Sequence, residues 1–186
     1  MVEFTLHTVE TAPETSKPRL EMAQKSMGFV PALWAVQAEA PAALEGYQTL
    51  SAIFDKTSLD PTERQVVLMT ANYDHNCTFC MAAHSWLSQM QGVPDDVIKA
   101  LRENSKLPNA KLEALRKFVR SVITGRGVVS EGETDEFLSA GYTNQHILEI
   151  ILGVSLKVMS NYTNHFAKTP VNEALQSFAW AKPTVA

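Results

Sequence analysis

Apolar residues recur every three or four positions along most of the chain, which is the period of helices that bury one face. Proline, aspartate, asparagine and glycine punctuate this pattern where helices begin and end. No stretch alternates for long enough to predict a strand. The sequence therefore predicts an all-α fold, with helices over about residues 16–28, 31–36, 41–54, 61–73, 77–91, 94–103, 109–125, 133–141 and 144–167, and a short helix within 169–180.

The apolar content is high enough for one well-buried domain, because 45% of the 186 residues are hydrophobic. We expect a surface arm over residues 1–14 and one helical domain over 15–186, with its core motif region at 44–125. The helix at 144–167 has few polar residues in its middle, so we expect it to be central or buried in a subunit contact. The apolar faces of the many short helices exceed what one small core absorbs, which predicts a homo-oligomer.

Two helix starts lead to the chemically interesting part of the chain. Asp60, followed by a proline and by Glu63 three positions on, has the pattern of a capping box. The helix that it begins runs into a second one, for which Asn76 is a suitable N-cap and Gly92 a suitable end. This second helix is predicted over residues 77–91.

The two cysteines of the chain, Cys77 and Cys80, lie three positions apart, which is the CxxC spacing of redox-active dithiols and of metal sites. On a helix, Cys77, Cys80 and His84 are related as i, i+3 and i+7 and share one face. The unpaired amides and the positive end of the dipole at a helix start favour an anion, so a thiol placed there ionises more easily. The pattern predicts a reactive thiolate close to a histidine.

The charge pattern narrows the partners and the compartment. The net charge is −4 and there is no block rich in Lys and Arg, so neither nucleic acid nor an anionic membrane is an expected partner. The first residues lack a charged segment followed by an apolar one, and no apolar run has the length of a membrane span. We expect a soluble, cytoplasmic protein, where a cysteine pair is more often catalytic, redox-active or metal-binding than a structural disulfide.

Other interpretations of the cysteine pair stay open. Both residues can simply be small buried side chains. Cys77, Cys80 and His84 can also bind zinc, with His75 or His165 as the fourth ligand, although the second ligand cluster of most structural zinc sites is absent. A c-type haem is disfavoured, because methionine follows the second cysteine where the attachment motif needs histidine.

The remaining candidate residues also have two interpretations each. His84 is either a hydrogen-bonded core histidine or, from its position four residues after the second cysteine, a general base or thiolate partner. Glu63 is explained by its capping box, or takes part in a proton relay. His75, Tyr162 and His165 are interpreted as packing residues or pocket wall.

The motif residues resemble those of the alkylhydroperoxidase D-like members of the carboxymuconolactone decarboxylase family. ERQVVL at residues 63–68, followed by NCTFCMAAHS at 76–85, is similar to the core motif of that family: a glutamate, CxxC and a histidine four residues after the second cysteine. The flanking segments resemble the longer, peroxidase-related subgroup, and the resemblance covers nearly the whole chain. These segments are GFVP at 28–31, NYTNH at 161–165 and FAW at 178–180.

This resemblance implies an all-helical, alkylhydroperoxidase D-like bundle that assembles into trimers or hexamers and acts as a thiol-dependent peroxidase. In the family the second cysteine, here Cys80, attacks the peroxide, the first, Cys77, resolves the sulfenic acid, and a Glu and the His form a proton relay. The Glu of the best-known relay lies twelve residues before the first cysteine, where this chain has Gln65, while Glu63 lies fourteen before it. The relay therefore uses Glu63 or is altered.

The leading hypothesis is an enzyme that reduces organic hydroperoxides or hydrogen peroxide, with Cys80, Cys77, His84 and Glu63 as its catalytic residues and no cofactor or metal. Its expected partners are the hydroperoxide and a dithiol reductant, either a small molecule or a lipoyl- or thioredoxin-like protein. A second hypothesis is decarboxylation or isomerisation of a lactone, as in carboxymuconolactone decarboxylases, where cysteines are not needed. A third is a non-enzymatic helical oligomer whose dithiol senses oxidants or binds zinc.

Overall fold

A computed structural model describes residues 3–184, and all the regular secondary structure in this range is helical. The all-α prediction is confirmed, and each predicted helix is present within a few residues of its expected ends; the tail forms a 3-10 helix. The elements are α1 (Lys17–Met27), α2 (Ala32–Gln37), α3 (Pro41–Phe54), α4 (Pro61–Asp74), α5 (Thr78–Met90), α6 (Asp95–Glu103), α7 (Ala110–Thr124), α8 (Glu131–Ser139), α9 (Asn144–Ala167) and the 3-10 helix Glu173–Phe178.

The helix α4 is the centre of the bundle. It packs against α5, α6, α7 and α9, and every residue from Gln65 to Tyr73 is buried. The long helix α9 lies across α4 and α3. A Cβ atom at Gly153 would lie 2.7 Å from the Phe54 ring and 2.9 Å from the Val67 side chain, so only glycine allows α9 to approach this closely. The close approach brings one face of α9 to the start of α5.

The start of α4 follows its sequence pattern closely. The Asp60 carboxylate accepts from the Glu63 amide at 2.8 Å, and the Glu63 carboxylate accepts from the Asp60 amide at 3.0 Å. This is the predicted capping box, which satisfies two amides that the helix itself leaves unpaired.

The start of α5 differs from the prediction. Asn76 is not the N-cap; it has a φ of 54°, in the left-handed region that asparagine tolerates better than most residues. The turn is held by a hydrogen bond of 2.9 Å from the Cys77 amide to the Asn72 carbonyl. Cys77 is therefore the N-cap, and its sulfur accepts from the Cys80 amide at 3.4 Å. The correction matters because it places both cysteines in the capping interaction itself.

The helix α2 covers the cysteines. Ala32 and Leu33 belong to the same buried cluster as both cysteines, with Tyr47 of α3 packed against it. The first amide of α2 donates to the side-chain oxygen of Asn172 at 2.8 Å, and the side-chain nitrogen of Asn172 donates to the Val30 carbonyl at 3.0 Å. The C-terminal segment therefore contacts the start of this cover.

The N-terminal segment is irregular but attached. Residues 3–14 contain no helix or strand, as predicted, yet Ala12 is buried and the His7 amide donates to the Ala35 carbonyl at 3.2 Å. Residues 1 and 2 of the predicted arm, and residues 185 and 186 of the predicted domain, lie outside the described range, and the boundary at 14/15 stays a prediction. No helix within residues 3–184 has the length and apolar character needed to cross a membrane.

Candidate active site

Two free thiols form the centre of the site. Cys77 is the N-cap of α5 and Cys80 is its third residue, so both sulfurs lie where the first amides of the helix are unpaired. Each residue is only 2% exposed. The helix start favours negative charge at these positions, as the sequence pattern predicts.

A polar stripe on α9 faces these sulfurs. Lys157, Ser160, Asn161 and Asn164 are spaced as i, i+3, i+4 and i+7, and all four are buried. The side-chain nitrogen Nδ2 of Asn164 donates to the Cys80 sulfur at 3.1 Å and lies 3.6 Å from the Cys77 sulfur. Because one amide group contacts both sulfurs, the structure brings the two predicted cysteines together in one polar contact.

His84 lies one turn further along α5, and both of its ring nitrogens have partners. Nδ1 is 3.0 Å from Oε1 of Gln65, and Nε2 is 3.1 Å from Nζ of Lys157. Gln65 in turn donates from Nε2 to Oε1 of Gln91 at 2.9 Å, which leaves its own Oε1 to accept from His84. This direction assigns the ring proton to Nδ1 and makes Nε2 an acceptor for the Lys157 ammonium.

The surroundings of Cys80 lower its pKa. Burial acts to raise it, but the Cys77 thiol, the Lys157 charge and hydrogen bonds from Ser160 and Asn161 outweigh burial and lower the pKa of Cys80 to about 5. The pKa of Cys77 moves the other way, well above its ordinary value, because its thiol proton is held by the Cys80 sulfur and the residue is buried. These directions favour the thiolate at Cys80 and the thiol at Cys77.

The same surroundings keep His84 neutral. Burial, and then the positive charge of Lys157, lower the pKa of His84 well below its usual value. His84 is thus a hydrogen-bonding residue between Gln65 and Lys157 at neutral pH rather than a cation. The positive charge of the site belongs to Lys157.

Glu63 lies outside this cluster. Its carboxylate bonds to the Asp60 amide, as the capping box requires, and to the Lys111 ammonium of α7 at 2.9 Å. Burial acts to raise the pKa of Glu63, but these hydrogen bonds outweigh it and lower the pKa. Residues two apart on a helix point about 200° away from each other, so Gln65, not Glu63, is on the side of α4 that faces His84.

The other histidines named from the sequence have structural contacts. Nδ1 of His75 is 2.9 Å from Oδ1 of Asn161, and its ring packs edge-on against Tyr162. Nε2 of His165 is 2.7 Å from the His75 carbonyl. The amide of Asn161 donates to Oδ1 of Asn72 at 3.0 Å. Through these contacts His75 supports the orientation of Asn161 beside Cys80.

The zinc alternative finds no support in this geometry. Within residues 3–184, no three or more His, Cys, Asp or Glu side chains form a group that could hold a metal ion. His84, the proposed third ligand, directs Nε2 to an ammonium group and Nδ1 to an amide oxygen.

Five residues that complete the site were not predicted to belong to it: Lys157, Ser160, Asn161, Asn164 and Gln65. The first four lie in a helix whose middle is dominated by apolar residues, and Asn161 and Asn164 were noted only as part of the NYTNH segment at 161–165. Their i, i+3, i+4, i+7 spacing was a usable signal, because polar residues at that spacing form one face. Gln65 was visible only as a replacement for the expected glutamate.

Comparison with known proteins gives a clear result for the fold. No protein-family model matches the sequence, and no curated protein does. Among solved structures, the chain is similar to an uncharacterised peroxidase-related protein with an alkylhydroperoxidase AhpD core from Ralstonia eutropha JMP134, with a TM-score of 0.83, 18% identity and 93% of each chain covered. A peroxidase-related protein from Silicibacter sp. TM1040 matches with a TM-score of 0.77 and 17% identity over 94% of this chain and 95% of that one.

A third similar structure belongs to a protein of named activity. The debrominase Bmp8, solved as a cysteine-to-alanine variant in complex with 2,3,4-tribromopyrrole, matches with a TM-score of 0.76 and 16% identity over 96% of this chain and 95% of that one. Identities this low establish the fold and leave the chemistry to be argued from the site. The resemblance found in the sequence is thereby confirmed at the level of architecture: this chain has the fold of the alkylhydroperoxidase AhpD core.

Proposed function

We propose that the protein is an enzyme, a thiol-dependent peroxidase that reduces organic hydroperoxides or hydrogen peroxide through a dithiol–disulfide cycle. The proposal rests on one observation: the side-chain amide of Asn164 contacts the sulfurs of both Cys80 and Cys77, near the buried ammonium of Lys157. The Cys80 sulfur has the lowered pKa of a nucleophile, and the Cys77 thiol lies within reach to resolve its oxidation product.

In the first step the Cys80 thiolate attacks the terminal oxygen of the peroxide. An S–O bond forms, the O–O bond breaks, and the electron pair of the broken bond leaves with the second oxygen. Cys80 becomes a sulfenic acid, and the leaving oxygen takes a proton to become an alcohol, or water when the substrate is hydrogen peroxide.

In the second step Cys77 attacks the sulfenic sulfur of Cys80. A disulfide forms, and the hydroxyl group leaves as water after taking up a proton. A dithiol then reduces the disulfide by exchange and restores both thiols. We propose either a small dithiol or a lipoyl- or thioredoxin-like protein for this role, and no metal or cofactor enters the cycle.

The site offers a place for the hydroxyl of a hydroperoxide. Oδ1 of Asn164 is buried and has no hydrogen-bond partner among the described residues, while Nδ2 of the same side chain contacts both sulfurs. A buried acceptor without a donor is costly, so a ligand that brings an O–H group to it is favoured. In our proposal Asn164 accepts from the peroxide O–H and holds the terminal oxygen near Cys80.

Substrate access requires movement of the cover formed by α2. Both cysteines are 2% exposed, with Ala32 and Leu33 packed against them. The lining of this cluster is apolar on the α2 side, which suits the organic part of an alkyl hydroperoxide. We propose that α2 moves outward to admit the substrate.

We also propose that the chain forms a homo-oligomer, a trimer or a hexamer. One face of α9 exposes large apolar side chains at Leu148, Ile151, Tyr162 and Phe166, and Ile53 of α3 is exposed as well. Several large apolar side chains exposed on one helix face are typical of protein interfaces. Light scattering that reports a 20.5 kDa monomer at micromolar concentration would contradict this proposal.

The test of the peroxidase proposal is reductant-dependent turnover of cumene hydroperoxide by three proteins: the wild type, Cys80→Ser and Cys77→Ser, with a small dithiol as electron donor. We expect no turnover by Cys80→Ser, and a single burst of peroxide consumption without further cycles by Cys77→Ser. Equal multi-turnover activity in both variants would rule out these roles.

The lactone hypothesis makes a separate prediction. Decarboxylation or isomerisation needs no cysteine, so a protein with both cysteines replaced by serine would convert muconolactone as fast as the wild type. We expect no conversion by either protein. The contacts of both sulfurs with Asn164 favour thiol chemistry over this alternative.

A further inference from the structure

Lys157 is the most unusual charged residue of the protein. It lies at the middle of α9 with a relative exposure of 0%. Within the described residues it forms no ion pair with a carboxylate, and its recorded hydrogen bond is the one to Nε2 of His84. A buried ammonium without an anion is strongly unfavourable. The Cys80 thiolate, whose pKa its charge lowers, is the anion that this site provides.

The hydrogen bonds around His84 run in one direction. Lys157 has only donors, so Nε2 of His84 accepts; Nδ1 then donates to Gln65, which donates to Gln91. Nε2 therefore carries no proton, and the Nδ1 proton is directed away from the sulfurs toward α4. An ammonium has three N–H groups, and among the described residues the hydrogen bond to His84 uses one of those of Lys157, so Lys157 has further protons to give.

We propose that Lys157 is the general acid of hydroperoxide reduction: its ammonium pairs with the Cys80 thiolate and gives a proton to the leaving oxygen. This inference rests on the proposed peroxidase function. It assigns to an ammonium that bonds to His84 the proton transfer that a carboxylate and a histidine were expected to perform. His84 is then a positioning residue, and Glu63 is a helix cap.

The proton balance closes over one cycle. The reduced site starts with the Cys80 thiolate, the Cys77 thiol and the Lys157 ammonium. Lys157 gives one proton to the alkoxide and becomes a neutral amine, which takes the Cys77 proton as Cys77 attacks the sulfenic acid. Lys157 then passes that proton to the departing hydroxide, which leaves as water.

The oxidised site therefore contains a disulfide and a neutral Lys157, with no buried charge. This state is consistent with the absence of a carboxylate beside Lys157. Reduction by a dithiol restores the thiolate, and Lys157 takes back its proton. The charge on Lys157 thus appears and disappears together with its counter-ion.

Few other ionisable groups surround Lys157. On α5 the ionisable neighbours are Cys77, Cys80 and His84. On α3, Tyr47 packs against the cysteine cluster. Burial, and then the cysteine charges, raise the pKa of Tyr47, so it is a neutral phenol. The helix α2 carries no ionisable residue, and α4 presents Gln65. The charged residues of α7 with recorded partners are paired elsewhere: Lys111 with Glu63, Arg116 with Glu113 and Arg120 with Asp74.

The test separates the charge of Lys157 from its proton. Cumene hydroperoxide releases a strongly basic alkoxide that needs a proton, whereas peracetic acid releases a carboxylate that does not. The rate of the first oxidation of Cys80 is measured with both oxidants for the wild type, Lys157→Arg and Lys157→Met. Arginine keeps the positive charge but does not give up its proton. Lys56→Met, on an exposed lysine, is the matched control.

For Lys157→Arg we expect the rate with cumene hydroperoxide to fall about 100-fold or more, the usual size of a general acid's contribution. The rate with peracetic acid should fall less than about fivefold, because the thiolate is retained. Lys157→Met should slow both oxidants, and the hydroperoxide more than the peracid. An equal fall with both oxidants in Lys157→Arg overturns the inference.

A second measurement needs no variant, in case a substituted α9 fails to fold. The wild type is assayed with a series of peroxides of increasing leaving-group basicity. A proton donor makes the rate nearly independent of that basicity, whereas its absence gives a steep decline. A steep decline in the wild type overturns the role of Lys157 while leaving the peroxidase function intact. A wild type that oxidises Cys80 with none of these peroxides overturns both.

Discussion

Two buried charge clusters in this protein are built in opposite ways. On α7, Glu113 and Arg116 are each only 8% exposed, and the carboxylate receives Nη2 at 2.6 Å and Nε at 3.0 Å. Glu113 also accepts from the Leu107 amide, and Arg116 donates to Asn104. Every charge in this cluster has a permanent partner of opposite sign.

The cluster between α9 and α5 leaves charge and polar groups without permanent partners. Lys157 has no carboxylate within the described residues, and Oδ1 of Asn164 has no donor. Among the described residues, the Cys80 thiolate is the anion that the site provides for Lys157, and the proposed reaction consumes it. The difference indicates that an ion pair with permanent partners, such as Glu113 with Arg116, stabilises the fold. An ammonium paired with a reactive thiolate is suited to a catalytic role instead.

The largest effect on stability is expected when one partner of the Glu113–Arg116 ion pair is removed. Glu113→Ala leaves the Arg116 guanidinium buried without its carboxylate, which should lower the free energy of unfolding by about 3–5 kcal/mol. Urea denaturation measures it, with Glu103→Ala at an exposed position of α6 as the control. The pKa of Cys80 should not change. A loss below about 1 kcal/mol would show that the α7 cluster is not the stabilising one.

A smaller effect, on the pKa of Cys80, is expected when the positive charge of Lys157 is removed. Lys157→Met should raise the pKa of Cys80, because the positive charge that helps to lower it is removed. Ultraviolet absorbance of the thiolate against pH measures this by comparing Cys77→Ser with the double variant Cys77→Ser, Lys157→Met, so that only Cys80 titrates in both proteins. An unchanged midpoint would contradict the pairing of Lys157 with Cys80.

The same shift has a consequence for stability. The folded reduced protein lacks a proton at Cys80 that the unfolded chain binds between pH 5 and pH 9. The free energy of unfolding of the reduced protein should therefore rise with pH in this window and fall as the pH drops through 5. In Lys157→Met the pKa of folded Cys80 is higher, so the free energy of unfolding should begin to rise only at a higher pH.

A still smaller change is expected from restoring a carboxylate beside His84. Gln65→Glu places a negative charge next to Nδ1, which favours the imidazolium and should raise the pKa of His84. Proton NMR of the imidazole against pH measures it. Gln89→Glu, at an exposed position of α5, is the control and should leave the pKa of His84 in place.

The smallest stability effect is expected for Cys77→Ser. Serine is a preferred N-cap and can accept from the Cys80 amide as the sulfur does, so the free energy of unfolding should change by less than about 1 kcal/mol. Multiple turnover should nevertheless be lost, because no resolving thiol remains. Thermal denaturation beside the turnover assay separates the two effects, and a large loss of stability would mean that Cys77 has a structural role beyond its cap.

The fold was predictable because its signals are local. The capping box at Asp60 and Glu63, the glycine after α5 and the apolar spacing of α3 depend on residues within one or two turns of each other. The prediction of Asn76 as N-cap was wrong, although asparagine is a preferred N-cap residue. The turn is set by the hydrogen bond from the Cys77 amide to the Asn72 carbonyl, which joins two helices.

The helices, the spacing of the two cysteines and their position at a helix start follow from the sequence alone, since short-range periodicity and capping carry that information. Only the tertiary structure decided what surrounds the sulfurs. Lys157 and Asn164 come from a helix about eighty residues away, and they reach Cys80 because Gly153 allows α9 to approach α4. Burial removes the water that would otherwise screen the charge of Lys157, so this charge interacts strongly with Cys80, the group that can be its counter-ion among the described residues.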